Sequence, residues 1–109
     1  MKVDELSGTD LDRAVAECQG FTDYDPTTGT MLPPRKEYGR VLLCGYAFST
    51  DWEFGGDIIQ RECIELQHWG AHSVPWSAWI DEKHHHYGTT PLIAAMRCYV
   101  ASKQGESNE

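Results

Sequence analysis

Apolar residues recur along the chain in two rhythms, one helical and one alternating, and the points where each rhythm stops mark the expected elements. Leu11, Ala14, Val15 and Cys18 fall three and four apart, which puts them on one face of a helix. Thr9 stands as its expected cap with Asp12 three residues on, a carboxylate variant of the capping box, and Gly20 can take the left-handed conformation that ends it. The rhythm is then lost. Residues 21–39 are dense in turn formers, with Asp25-Pro26-Thr27-Thr28-Gly29 and the consecutive Pro33-Pro34, and are expected to form an irregular excursion. Val41-Leu42-Leu43-Cys44 is a short apolar run that predicts a short strand.

Ser49-Thr50-Asp51-Trp52-Glu53 reads as a second helix start, with Thr50 as cap and Glu53 as its capping-box partner. Gly55-Gly56 is expected to break that helix into one turn and a second short piece around residues 57–61, with Trp52, Ile58 and Ile59 pointing inward. Residues 63–69 change to alternation, Ile64 and Leu66 on one side and Glu65 and Gln67 on the other, which predicts a half-buried strand. After a turn at 70–73, residues 74–80 return as a second strand in which Val74, Trp76 and Ala78 share one parity and Pro75, Ser77 and Trp79 the other. Asp81-Glu82-Lys83 follows as a polar turn. The last element carries the clearest signal: Thr90 caps, Pro91 takes the first helical position, and Leu92, Ala95, Met96, Tyr99 and Val100 make an apolar stripe that Gly105 brings to a stop.

These elements predict an α+β fold, a small antiparallel sheet of two to four strands packed against N- and C-terminal helices in a two- or three-layer sandwich. The 109 residues suffice for one core, so a single domain is expected over residues 1–105, with 106–109 as a disordered tail.

Charge narrows the partners. Lys and Arg number 9 against 17 Asp and Glu, for a net charge of −8, and residues 1–25 hold seven acids against two bases. That balance opposes direct binding of nucleic acid or adhesion to anionic membranes. The start of the chain has no basic, apolar leader and no apolar run approaches a membrane span, so a cytoplasmic protein is expected. Cys18, Cys44, Cys63 and Cys98 are widely spaced and read as reduced thiols.

Candidate chemistry is sparse. His84-His85-His86 draws attention to metal binding, with His68 and His72 as further ligands, because zinc takes imidazole nitrogens in tetrahedral sets. On an extended strand only His84 and His86 would converge, no metal-ligand spacing motif accompanies them, and the plainer reading of the run is an exposed polar turn. Cys63 or Cys98 beside a histidine supplies residue types for thiol catalysis without any sign of convergence. Gly55-Gly56 lacks the spacing of a phosphate-binding loop and is read as a bend. No cofactor is expected, and binding is favoured over catalysis. The aromatic supply is more telling: tryptophans of both parities sit in residues 74–80, so Trp76, Trp79 and the nearby Tyr87 are the candidate contact residues.

Two blocks also carry a resemblance. Ser49-Thr50-Asp51-Trp52 with Gly55-Gly56 and Ile58–Glu62, followed by Gly88–Lys103, resemble the small NinX-like proteins of tailed bacteriophages and prophages, as do Glu5–Gly8 and Leu11–Ala16. The chain has Asp57 and Phe48 where such proteins commonly have proline. The family has no assigned activity, so the resemblance implies a phage accessory protein in the cytoplasm of a bacterial host and carries over no catalytic residue. The resulting expectation is an accessory protein that binds an unknown host or phage protein, and a homodimer is compatible with it. The alternatives are an acidic nucleic-acid mimic that blocks a host defence protein and a small metal-dependent hydrolase.

Overall fold

The computed structural model describes residues 3–35, 39–70, 73–81 and 83–104. His72, Glu82, Gly105 and the expected tail at 106–109 lie outside the described residues. The first helix, α1 (Gly8–Cys18), follows a 3-10 turn at Val3–Glu5. Its N-cap is Ser7, which makes no side-chain capping bond, and Thr9 lies within the helix, so the expected capping box does not form. Asp12 is used otherwise: its carboxylate accepts a 2.8 Å hydrogen bond from the Ser49 backbone N–H and fastens α1 to the turn before the second helix. The far end follows the expectation. Gly20 adopts φ 99°, and the Gly20 and Phe21 N–H groups donate to the Glu17 and Ala16 carbonyls, closing a Schellman motif.

The expectation of an irregular excursion over residues 21–39 is corrected in part. Strands β1 (Thr22–Asp25) and β2 (Thr30–Leu32) pair antiparallel, and β3 (Val41–Leu42) pairs with β2. The pairing is too short for an alternating pattern to register, and the register shifts within β1, where Asp23 takes φ 59°. Polar contacts do the work that apolar pairs do in longer strands. The Arg40 guanidinium donates to Thr30 Oγ1 at 2.8 Å, to Asp23 Oδ2 at 2.9 Å and to the Asp23 carbonyl, binding β1 to β2. In the connecting turn the Thr27 N–H donates to Asp25 Oδ1 at 2.9 Å, which holds the Asp25 carboxyl below its ordinary range.

The second helix, α2 (Trp52–Glu62), runs unbroken through Gly55-Gly56, against the expected break. Its cap is Asp51, whose side chain accepts from the Glu53 N–H at 2.9 Å; Thr50 sits one residue too early, so the box with Glu53 is not made. Gly55 is buried where a Cβ would lie 2.4 Å from the Phe48 carbonyl oxygen and 2.6 Å from Leu92. The glycine therefore serves close packing of the helix rather than its interruption. Trp52, expected inside, is 54% exposed, because it begins the helix and its ring lies along its own turn against Gly56; Ile58 is buried and Ile59 half-buried as expected.

Strands β4 (Glu65–His68) and β5 (Trp76–Ile80) form the expected antiparallel pair. The histidine run is not an exposed turn. It is strand β6 (His84–Gly88), paired antiparallel with β5 after a tight turn that Asp81 enters at φ 60°. The third helix, α3 (Pro91–Gln104), opens as predicted, with Thr90 Oγ1 accepting from the Ile93 N–H at 3.1 Å.

The whole predicted stripe of α3 is buried, and so are Ala94, Cys98 and Ala101. This helix is covered on more than one side because it lies between the β4-β5-β6 sheet and the helices α1 and α2. The result is an α+β fold with two small antiparallel sheets. The N-terminal turn is clasped to the same sheet: Asp4 lies 2.7 Å from His86 Nδ1, and Arg97 donates to the carbonyls of Leu6 at 2.9 Å and Tyr87 at 2.7 Å. No helix among the described residues is long and apolar enough to cross a membrane.

Candidate interaction surface

Register decides which side chains share a face of the β4-β5-β6 sheet. Leu66 pairs with Ala78 and Ala78 with His86, while Ile80 pairs with His84; Ala78, Ile80 and His86 are buried, and this face lies under α3. The adjacent positions form the opposite, outer face. Across it run Glu65, Trp79 and His85 in one row and Gln67, Ser77 and Tyr87 in the next.

The outer face carries a continuous run of rings. His85 stacks on Trp79 with centroids 3.5 Å apart and planes 11° from parallel, and Tyr87, two residues along β6, lies 4.7 Å from His85 with its ring tilted by 51°. Trp69, from the segment after β4, folds over the same face and donates its indole N–H to Ser77 Oγ at 2.8 Å. This bond explains how a serine on the outer face is buried. Trp69 and Tyr87 remain 42% and 44% exposed, and with Ser73 and Val74 they line a shallow groove of about 430 Å³. A second groove of similar size is lined by Glu65, Leu66, Gln67, Trp79 and Asp81. The His85 imidazole is pushed below its ordinary pKa by burial first and by the neighbouring His86 second, which favours the neutral ring at pH 7.

Of the three contact residues predicted from sequence, the sheet brings Trp79 and Tyr87 together on one face. Trp76 points to the other, packing against the core with its ring 4.8 Å from that of His68. Trp69 and His85 were missed. Both signals were available: His85 has the parity of Tyr87 once residues 84–88 are known to be a strand, and Trp69 ends the alternating segment 63–69 with the parity of Glu65 and Gln67.

The histidines do not gather. His84 and His86 share the helix-facing side, where His86 is taken by Asp4, the His84 carbonyl accepts from the Cys98 thiol at 3.1 Å, and the His68 ring lies tilted against Trp76. Among the described residues no three His, Cys, Asp or Glu side chains are placed to hold a metal ion. Cys98 is fully buried, and desolvation pushes its thiol up to about 12, a poor state for a nucleophile.

Compared with known families, the chain matches the model described as Bacteriophage P22, NinX over residues 2–103. No curated protein matches it.

Proposed function

The chain belongs to the bacteriophage P22 NinX family and is a phage accessory protein; we propose that it acts by binding a host or phage protein through the outer face of β4-β5-β6. One observation carries this reading: α3 covers one side of the sheet, while Trp69, Trp79, His85 and Tyr87 line the side it leaves open. Rings held rigidly by stacking and by an indole hydrogen bond lose little freedom on binding, and exposed Trp and Tyr are the residue types that dominate protein contacts.

The charge distribution supports contact over nucleic-acid mimicry. Of the seven acids in residues 1–25, Asp4, Asp12, Glu17, Asp23 and Asp25 each hold a neighbour within the fold. Acids spent on internal bonds in this way serve the architecture and solubility more than an array spaced like phosphates. The cytoplasm of the bacterial host is the setting this reading takes.

Affinity purification from phage-infected cells provides the test. The unmodified protein is expected to recover a stoichiometric partner, and Trp79→Ala combined with Tyr87→Ala to lower that recovery by about tenfold or more, the scale of losing two aromatic anchors. Both side chains sit on the outer face, so the double variant should still melt cooperatively. Undiminished recovery by a folded double variant would contradict the proposal.

A further inference from the structure

The two faces of the Trp79 indole have different neighbours. One is covered by His85 at 3.5 Å. On the opposite side of Trp79 in the sheet lies β4, where Glu65 is its cross-strand partner, and the groove there is lined by Glu65, Leu66, Gln67, Trp79 and Asp81. Glu65 and Asp81 are exposed, and neither forms an ion pair or a side-chain hydrogen bond with another described residue. An aromatic wall beside two carboxylates that pair with no cation among the described residues is complementary to a planar cation.

Resting on the reading of this face as a contact surface, we propose that the groove receives an arginine side chain of the partner protein, its guanidinium laid on the Trp79 ring and held by Glu65 and Asp81. Arginine fits better than lysine because its flat, weakly hydrated head stacks on an indole while its N–H fork serves carboxylates. The neutral His85 behind Trp79 adds no opposing charge. The overall charge of −8 works in the same direction by drawing a basic partner toward the protein before contact.

The probe is a capped Gly-Arg-Gly peptide, compared with its lysine and citrulline counterparts, titrated while amide and indole chemical shifts are followed. The arginine peptide is expected to give saturable shifts centred on residues 65–67, 79–81 and 85, with a Kd on the order of millimolar. Citrulline, which keeps the shape and loses the charge, should bind roughly tenfold more weakly or not at all, as should the arginine peptide in about 0.5 M salt. Glu65→Gln with Asp81→Asn should remove the arginine shifts without changing the melting transition, and should weaken partner recovery from infected cells about tenfold.

Equal shifts from arginine and citrulline would overturn the inference. So would the absence of shifts, or shifts centred instead on a third groove, away from this sheet, that Phe21, Tyr46 and Phe54 line beside α2. Outer-face shifts that instead follow protein concentration without peptide would assign the groove to a second copy of the chain and overturn it as well. The two readings fail separately: full partner recovery by the Glu65→Gln, Asp81→Asn protein removes only the arginine, whereas full recovery by the Trp79→Ala, Tyr87→Ala protein removes the contact surface itself.

Discussion

Met96→Asp is expected to destabilise the whole domain by several kcal/mol and to lower its melting temperature by more than about 10 °C, because it puts a carboxylate at the centre of the fold. Met96 is fully buried on a helix that packs against the sheet on one side and α1 and α2 on another. A carboxylate there must remain charged without a partner or take up a proton and stay without one, and either state costs about 3–5 kcal/mol. Domains of this size have only about 5–15 kcal/mol to lose. Met96→Leu, which keeps the volume and the apolar character, should cost less than about 1.5 kcal/mol. Far-ultraviolet circular dichroism during heating checks both variants. An unchanged transition in Met96→Asp would mean that α3 is not the centre of the core.

The second large effect is expected at Gly88, where the last residue of β6 meets the first turn of α3. A Cβ at this position would stand 2.5 Å from the Ala94 backbone nitrogen and 2.9 Å from Ile93 Cγ2. A side-chain tip can rotate away from such a contact, but the backbone of a capped helix cannot, so Gly88→Val has to lever α3 off the sheet. The expected cost is about 3 kcal/mol, the upper part of the range for overpacking. Gly45→Ala is the control. Gly45 has an ordinary φ and nothing within 4 Å of an added Cβ, and its replacement should change stability by less than about 0.5 kcal/mol. Denaturant titration of the three proteins would separate the two positions; equal midpoints would contradict the close approach of strand and helix.

What the sequence discloses of this fold depends on how much of each element repeats. α3 was readable because its cap, first-turn proline and apolar spacing all agree, although the burial of Ala94, Cys98 and Ala101 was not, since alanine and cysteine suit an exposed helix face as well as a central one. β4 and β5 were readable from alternation. Of the small sheet only β3 was, from the apolar run at 41–44; β1 and β2 were not, because they are short, carry Thr and Asp, and are joined by an arginine that lies outside them. Gly55 misled for a different reason: glycine marks a bend and a close approach by the same letter, and only the position of Phe48 and Leu92 tells them apart. The interaction surface was half visible. Opposite parities separated Trp76 from Trp79, but the stack of Trp79, His85 and Tyr87 depends on the histidine run being a strand, and three adjacent histidines give no apolar alternation to reveal one.

The outer face of β4-β5-β6 competes with other exposed apolar positions, Leu42 at 56% and Trp52 at 54% exposed among them. A photoreactive phenylalanine analogue placed singly at Tyr87, Trp52 and Leu42, and irradiated in phage-infected cells, distinguishes them most directly. The account predicts one discrete cross-linked partner from position 87 and none from the other two. A discrete adduct from position 52 or 42, with position 87 silent, would contradict it.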